Sequence, residues 1–318
     1  ERAGGDRDAG FESAAAILDE MRVFKEGMET DRLQKACNIT ALSLTRVMKE
    51  CRPGMYEFQI ESLIEGTFLE YGSALPGFPS IVGAGANSTT LHYEANNCLL
   101  QDGDLLLMDI GAEYGNYTAD ITRTIPVNGT FSAEQRAIYQ LVLDAQKAAI
   151  AEMKPGKPYL DGHRAARKVI SEGLTELGLM TDTESRWQTD FYCIHGVSHY
   201  LGLDVHDVGD YGVDYRKMMS DKGSVPLASR LLEPGMVLTI EPGIYIRENG
   251  LETAYDFLRG RADSTEIAAF IEAVRPVYGK YLNTGVRIED DILITGEGNL
   301  NLSRYAPKEI ADIEQLMR

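Results

Sequence analysis

The sequence predicts an α+β protein built on antiparallel strands. Three observations lead there. Helical patterns come in pairs, strand patterns come in pairs, and the two do not interleave as a parallel βαβ sheet requires. The first helix is expected over about 30–51, where Leu33, Ala36, Cys37, Leu44, Val47 and Met48 recur at helical spacing and Pro53-Gly54 ends the run. A second follows over about 56–71, closed by Gly72. Two strands are expected at 104–110 and 118–126, with Tyr114-Gly115-Asn116 as the hairpin turn between them. Ser132-x-x-Gln135 is a capping box, after which Ile138, Leu141, Val142, Ala145 and Ala149 share one helical face as far as Pro155-Gly156. A fourth helix is expected over about 159–177, with Gly178 just beyond. Strands at 237–245 and 286–295 complete the pattern. The long interval 247–281 carries Ile267, Phe270, Ile271, Val274 and Tyr278, which predict a helix inside it.

Composition narrows the function. The chain has 318 residues, 44% apolar and 25% charged, the balance of an ordinary globular chain with ample core. With 31 Lys+Arg against 49 Asp+Glu the net charge is −18, which repels phosphate backbones and excludes a nucleic-acid groove. No apolar run is long enough to span a membrane. Cys37, Cys51, Cys98 and Cys193 lack CxxC pairing, which argues for a reducing, cytoplasmic compartment rather than a disulfide framework. The N-x-S/T sequons at Asn38, Asn87, Asn116, Asn128 and Asn301 read as chance matches. The Gly-rich, polar start reads as a linker stump, so residues 1–20 are expected as a linker remnant and 21–318 as the catalytic domain, with an upstream domain cut away.

Four clusters carry chemistry. In the first, Asp109 ends the apolar run Leu105-Leu106-Leu107-Met108, where an unpaired carboxylate is costly. With the turn centred between Tyr114 and Gly115, Asp109 faces Asp120 across the strands, and two carboxylates that close need a cation or a shared proton. The alternative is a pair of turn-flanking acids, one of them capped by Arg123. The second cluster, 194–207, holds His195, His199 and His206 among glycines that allow close backbone approach. The third and fourth place Glu241 and Glu289 between apolar residues on strands. By alternation Glu241 shares a face with Thr239, and Glu289 with Arg287 and Asp291. Each could also be a strand-end acid facing water. His163, among Arg and Lys in a helix, reads as a surface residue. Two Asp, one or more His and two Glu make a mostly oxygen donor set that suits Mn²⁺, Co²⁺, Fe²⁺ or Zn²⁺, with carboxylates enough to bridge two ions.

Taken jointly, and in this order, the clusters resemble the metallopeptidase family with the pita-bread fold, which includes methionine aminopeptidase, prolidase and aminopeptidase P. The resemblance runs from about Met21 to the C-terminus. It implies a pseudo-twofold antiparallel sheet backed by helices. It also implies two divalent ions, manganese first, held by Asp109, Asp120, His199, Glu241 and Glu289. Asp120 and Glu289 would bridge both ions; Asp109 would complete one shell, His199 and Glu241 the other. His195-Gly-Val-Ser-His199-Tyr-Leu-Gly-Leu-Asp-Val-His206-Asp, Ile81 to Asn87 leading to Leu91-His92-Tyr93, and Arg52-Pro53-Gly54 are most similar to the aminopeptidase P branch.

That branch implies release of the N-terminal residue from peptides with proline second. A metal-bridging hydroxide would attack the carbonyl before proline, with Glu241 as general base and His206 stabilising the oxyanion or relaying a proton to the proline nitrogen. His195 and His92 would line the substrate pocket, and Arg287 would orient the acids near Asp109; alternatively, His92 is a loop histidine with no role. The partners expected are such peptides and, by the same resemblance, a second copy of the chain in a homo-oligomer, with neither nucleic acid nor membrane. Prolidase activity, a metal-free creatinase-like hydrolase and a non-catalytic pita-bread binding module are the rival readings. Two extra stretches, about 215–230 and 247–281, depart from compact family members, and the second puts Glu241 and Glu289 48 positions apart. Both bear on substrate length.

Overall fold

A computed structural model describes residues 13–214 and 228–318. Its five longest helices form where the apolar periodicity puts them. Helix α1 spans Ala15–Val23, α2 Gly27–Glu50 and α3 Glu57–Glu70. Along α2, Leu33, Ala36, Cys37, Leu44, Val47 and Met48 are fully buried, so the predicted stripe is the core face. Helix α4 spans Ala133–Glu152, and its capping box forms: Ser132 Oγ accepts the Gln135 N–H at 3.2 Å and Gln135 Oε1 accepts the Ser132 N–H at 3.0 Å. Helices α5, Leu160–Glu176, and α6, Arg186–Tyr192, follow. The 247–281 interval holds two helices rather than one, α7 at Gly250–Phe257 and α8 at Ser264–Tyr278. Helix α9, Ile310–Leu316, was not foreseen, nor were α1 and α6.

The strands are β1 Ile81–Ala84, β2 Leu105–Ile110, β3 Glu113–Tyr114, β4 Tyr117–Thr118 and β5 Ile121–Pro126 in the first half. The second half has β6 Val237–Ile240, β7 Gly243–Ile246, β8 Thr284–Arg287, β9 Asp290–Ile294 and β10 Asn299–Asn301. Two antiparallel three-stranded sheets, ordered β1-β2-β5 and β10-β9-β6, are accompanied by the ribbons β3-β4 and β7-β8. This is the α+β arrangement expected, with the halves joined where the Glu289 N–H donates to the Thr122 carbonyl at 3.1 Å.

Three of the four long strands are broken, each at a candidate ligand. The expected 118–126 strand stops at Ala119-Asp120, 237–245 at Glu241-Pro242, and 286–295 at Ile288-Glu289. Pro242 has no N–H for a ladder. At Gly111, opposite the first break, an added Cβ would lie 1.8 Å from the Ala119 carbonyl, so only glycine permits that approach. Asp120, Glu241 and Glu289 thus sit between strand segments.

The hairpin register also differs from expectation. Glu113 pairs with Thr118, Tyr114 with Tyr117, and Asp109 with Thr122 rather than Asp120. The turn is centred between Gly115 and Asn116, whose φ values of 60° and 71° make the two-residue turn that a right-twisted hairpin favours. Tyr114 is ill-suited to a positive φ, and so the centre moves.

Two further expectations are corrected. His163 is 4% exposed, because Leu160, His163, Ala166, Arg167, Ile170 and Leu174 form the buried face of α5. Arg123 caps neither turn acid; it is fully buried and pairs with Asp290 at 2.6 Å. Of the linker expected at 1–20, residues 1–12 lie outside the described residues, and the chain is already helical from Ala15. Most of the 215–230 stretch, 215–227, lies outside them too.

Candidate metal centre

The strand breaks and the 194–207 segment converge on a cavity of about 410 Å³. Its wall carries Asp109, Asp120, His199, Glu241, Glu289, His195, His206, His92 and Arg287, so every residue expected at the site reaches one space. Asp109 comes from the end of β2, Asp120 from the break before β5, Glu241 from the break after β6, and Glu289 from the break before β9. His199 is tied to the second sheet: its N–H donates to Thr239 Oγ1 at 3.2 Å, and the Thr239 N–H donates to its carbonyl at 2.9 Å.

The innermost group is Asp120, His199 and Glu289, with a ligand atom from each lying within 4.8 Å of the others. His199 Nε2 is 3.4 Å from Asp120 Oδ2 and 3.6 Å from Glu241 Oε1. On the other side of the ring, Nδ1 is 3.0 Å from the Tyr200 carbonyl. A carbonyl only accepts, so Nδ1 carries the proton and Nε2 presents its lone pair to the carboxylates. Burial, with His206 adding, pushes the His199 pKa down to about 4, which keeps the ring neutral. Burial and Arg287 push His195 down to about 3. The His206 ring lies 4.2 Å from the His199 ring, edge to face.

The acids are held by a network that sequence reasoning only partly found. Arg287 Nη2 donates to Asp109 Oδ2 at 2.5 Å, Nη1 to the Tyr245 hydroxyl at 2.8 Å, and Nε to Thr122 Oγ1 at 3.0 Å. The Tyr245 hydroxyl lies 2.8 Å from His195 Nε2, and His195 Nδ1 lies 2.6 Å from the Gly196 carbonyl. Thr122 Oγ1 donates to Glu289 Oε2 at 2.6 Å. Tyr245 and Thr122 were missed. Two-residue spacing from Glu241 through Gly243 to Tyr245, and from Asp120 to Thr122, was the available signal. Asp291, expected on the Glu289 face, does not line the cavity. It accepts from Cys37 Sγ and from the Asp120 N–H, both at 3.1 Å, because the break at Ile288-Glu289 resets the alternation.

This donor set fits divalent cations. Asp109 Oδ1, Asp120 Oδ1 and Glu289 Oε1 are buried without a hydrogen-bond partner, although the other oxygen of Asp109 and of Glu289 is committed to Arg287 and Thr122. Burial pushes the Asp120 pKa well up, reinforced by Glu289 and Asp109; Glu289 is raised likewise by burial and by Glu241 and Asp109. Burial lifts Glu241 to about 8, with Arg287 opposing and Asp109 adding. For Asp109 burial acts upward, but Arg287 and the hydrogen bonds outweigh it and hold the carboxyl below its usual range. Crowded acids, three of them with an uncommitted buried oxygen, and a neutral imidazole with its lone pair inward are what hard or borderline divalent ions bind.

The model of metallopeptidase family M24 matches residues 31–296. The Xaa-Pro aminopeptidase of Escherichia coli strain K12 is 40% identical over 305 residues, covering 95% of this chain and 60% of that protein. The Xaa-Pro dipeptidase of Homo sapiens is 35% identical over 308 residues, covering 94% of this chain and 60% of that protein. Among solved structures, proline aminopeptidase P II from Yersinia pestis matches with a TM-score of 0.79 and 41% identity, over 96% of this chain and 62% of that one. The chain spans about three fifths of the length of the curated relatives it matches.

Proposed function

This chain belongs to metallopeptidase family M24, and from that premise we propose that it is an Xaa-Pro aminopeptidase. It removes the N-terminal residue from peptides whose second residue is proline, using two divalent ions, manganese first. The observation that carries this reading is the set of three buried carboxylate oxygens left unpartnered around a neutral His199 in one cavity. Asp109, Asp120, His199, Glu241 and Glu289 would hold the ions. When bound, the ions supply Lewis acidity, lowering the pKa of water and polarising the carbonyl before proline.

The remaining work falls to the chain's own side chains. Glu241 is the general base that takes the proton of the attacking water. His206, on the cavity wall beside His199, stabilises the developing oxyanion or relays the proton taken up by Glu241 to the proline nitrogen as the bond breaks. His195 is neutral and braced by Tyr245, and with His92 it lines the substrate pocket. Arg287 fixes Asp109 and holds it ionised. We assign 21–318 to the catalytic domain, with the preceding residues as a linker, a cytoplasmic location and a homo-oligomer. Among the described residues no helix is long and apolar enough to cross a membrane.

The likeness to a dipeptidase supports a second reading, cleavage of dipeptides alone. One assay separates them. The manganese-loaded chain is offered Xaa-Pro and Xaa-Pro-Yaa peptides. Release of Xaa from the tripeptide supports the aminopeptidase; cleavage confined to Xaa-Pro supports the dipeptidase, and no cleavage of either overturns both.

A further inference from the structure

A second cavity, of about 710 Å³, lies against the first and shares Leu91 with it. Leu91 is followed by His92, and Ile194, which also lines the second cavity, is followed by His195. Leu91 and Ile194 both pack on the small apolar cluster of Ile81, Leu107 and Tyr245. The partition between the cavities is therefore seated on the tyrosine whose hydroxyl links His195 to Arg287. The other wall comes mainly from the segment that lengthens the Glu241–Glu289 interval, with Arg247 and Asn283 at its two ends.

Arg247 is held in place but not neutralised. Its carbonyl accepts from the Tyr278 hydroxyl at 2.8 Å, and its guanidinium lies 5.1 Å from the Phe257 ring centroid. Among the described residues the guanidinium has neither an ion pair nor a hydrogen-bond acceptor, and its Nη2 is buried unpartnered. Glu248 and Glu252 also line the cavity, but both are exposed and neither pairs with Arg247. Asn283 Oδ1, on the same wall, is a second buried polar atom without a partner. A guanidinium presents a planar fork of donors that matches a carboxylate, and a volume of this size is ordinary for a ligand site.

We propose that this second cavity is a subsite for the peptide residues after proline, in which Arg247 receives a substrate carboxylate. The carboxylate is the free C-terminus of a short peptide or an acidic side chain at the same distance from the cleaved bond. The proposal rests on the peptidase reading above, and its test is built to fail separately from that reading.

The test uses Xaa-Pro-(Ala)n peptides of two to six residues, each as the free acid and as the C-terminal amide. The manganese-loaded wild type and R247Q are compared. At the length that reaches Arg247, wild type should favour the acid over the amide by about tenfold in kcat/KM, and in R247Q the ratio should fall to about 1. A C-terminal amide carrying Glu at the last position identifies the side chain as the source if it regains the advantage, and the C-terminus if it does not. Calorimetric binding of Pro-Ala-Ala as acid and amide reads the same preference without cleavage. R247K, which keeps the charge without the fork, should retain part of it. An acid-to-amide ratio that is the same in wild type and R247Q at every length, in both assays, overturns the proposal. A preserved binding preference without any Xaa-Pro cleavage overturns the peptidase reading and leaves the subsite standing.

Discussion

Replacing Arg123 by Met should unfasten the floor of the site. Arg123 is fully buried and donates five hydrogen bonds: to Asp290 Oδ1 and the Glu289 carbonyl at 2.6 Å, and to the carbonyls of Thr122, Ala306 and Pro307 at 2.9 Å. Met keeps much of the stem volume and none of the donors. Asp290, itself fully buried, would retain Lys308 at 2.5 Å and Asn301 at 2.7 Å on its other oxygen. Removing one partner of a buried ion pair costs about 3–5 kcal/mol. Because Lys308 remains, the lower end of that range is expected, about 3 kcal/mol. With a urea m-value of about 3 kcal/mol/M, the unfolding midpoint should drop by roughly 1 M. The pH dependence follows with its sign. Burial acts to raise the Asp290 pKa, but Arg123 and Lys308 outweigh it and hold the folded value below the ordinary carboxylate. Its contribution is therefore complete above about pH 3.9 and is lost as pH falls through the lower folded value. Without Arg123 the folded pKa rises, so the acid loss should begin at higher pH. Urea unfolding of both chains in chelator, from pH 3 to 7, measures both effects. A cost under about 1 kcal/mol with an unchanged acid limb would mean that Arg123 does not hold Asp290 in the folded protein.

Other consequences are equally direct. In the metal-free protein Glu241 sits at about 8, so binding an ion must expel its proton. Manganese affinity should accordingly fall from pH 8 to pH 6, with proton release visible in calorimetry across buffers; a pH-independent affinity would contradict it. Thr122→Val keeps shape but removes the hydroxyl that donates to Glu289 and accepts from Arg287, and should weaken metal binding by about 10–100-fold. An affinity within twofold of wild type would make Thr122 irrelevant to the ion site. His206→Ala should lower turnover far more than metal content; loss of the metals instead would mean that the ligand set is misassigned.

The sequence made the chemistry more legible than the path of the chain. Carboxylates at Asp109, Glu241 and Glu289 beside apolar strand residues are costly without a purpose, and that cost exposed them. The strand break at Asp120 was not readable, because it follows from the close approach of Gly111 to Ala119, made only on folding, whereas Pro242 did mark the break at Glu241. The break at Glu289 turned Asp291 away from the cavity toward Cys37. The hairpin register failed for a local reason that was readable, since Gly115-Asn116 supplies two positive-φ residues and Tyr114 does not. His163 was misplaced because charged neighbours outweighed the i, i+3, i+4 positions it shares with Leu160, Ala166 and Ile170. Arg123 and Asp290 are 167 positions apart, and no local pattern announces a pair made at that distance.

On the proposed reading one cavity holds two divalent ions and uses them on Xaa-Pro peptides. Elemental analysis of the chain, equilibrated with manganese and freed of excess, tests it most directly when run beside an Xaa-Pro-Yaa cleavage assay. Two ions per chain in active wild type, and fewer than one in an inactive Glu289→Ala variant, is the expected result. A chain that retains no divalent ion, and whose activity none restores, is not a dinuclear metallopeptidase.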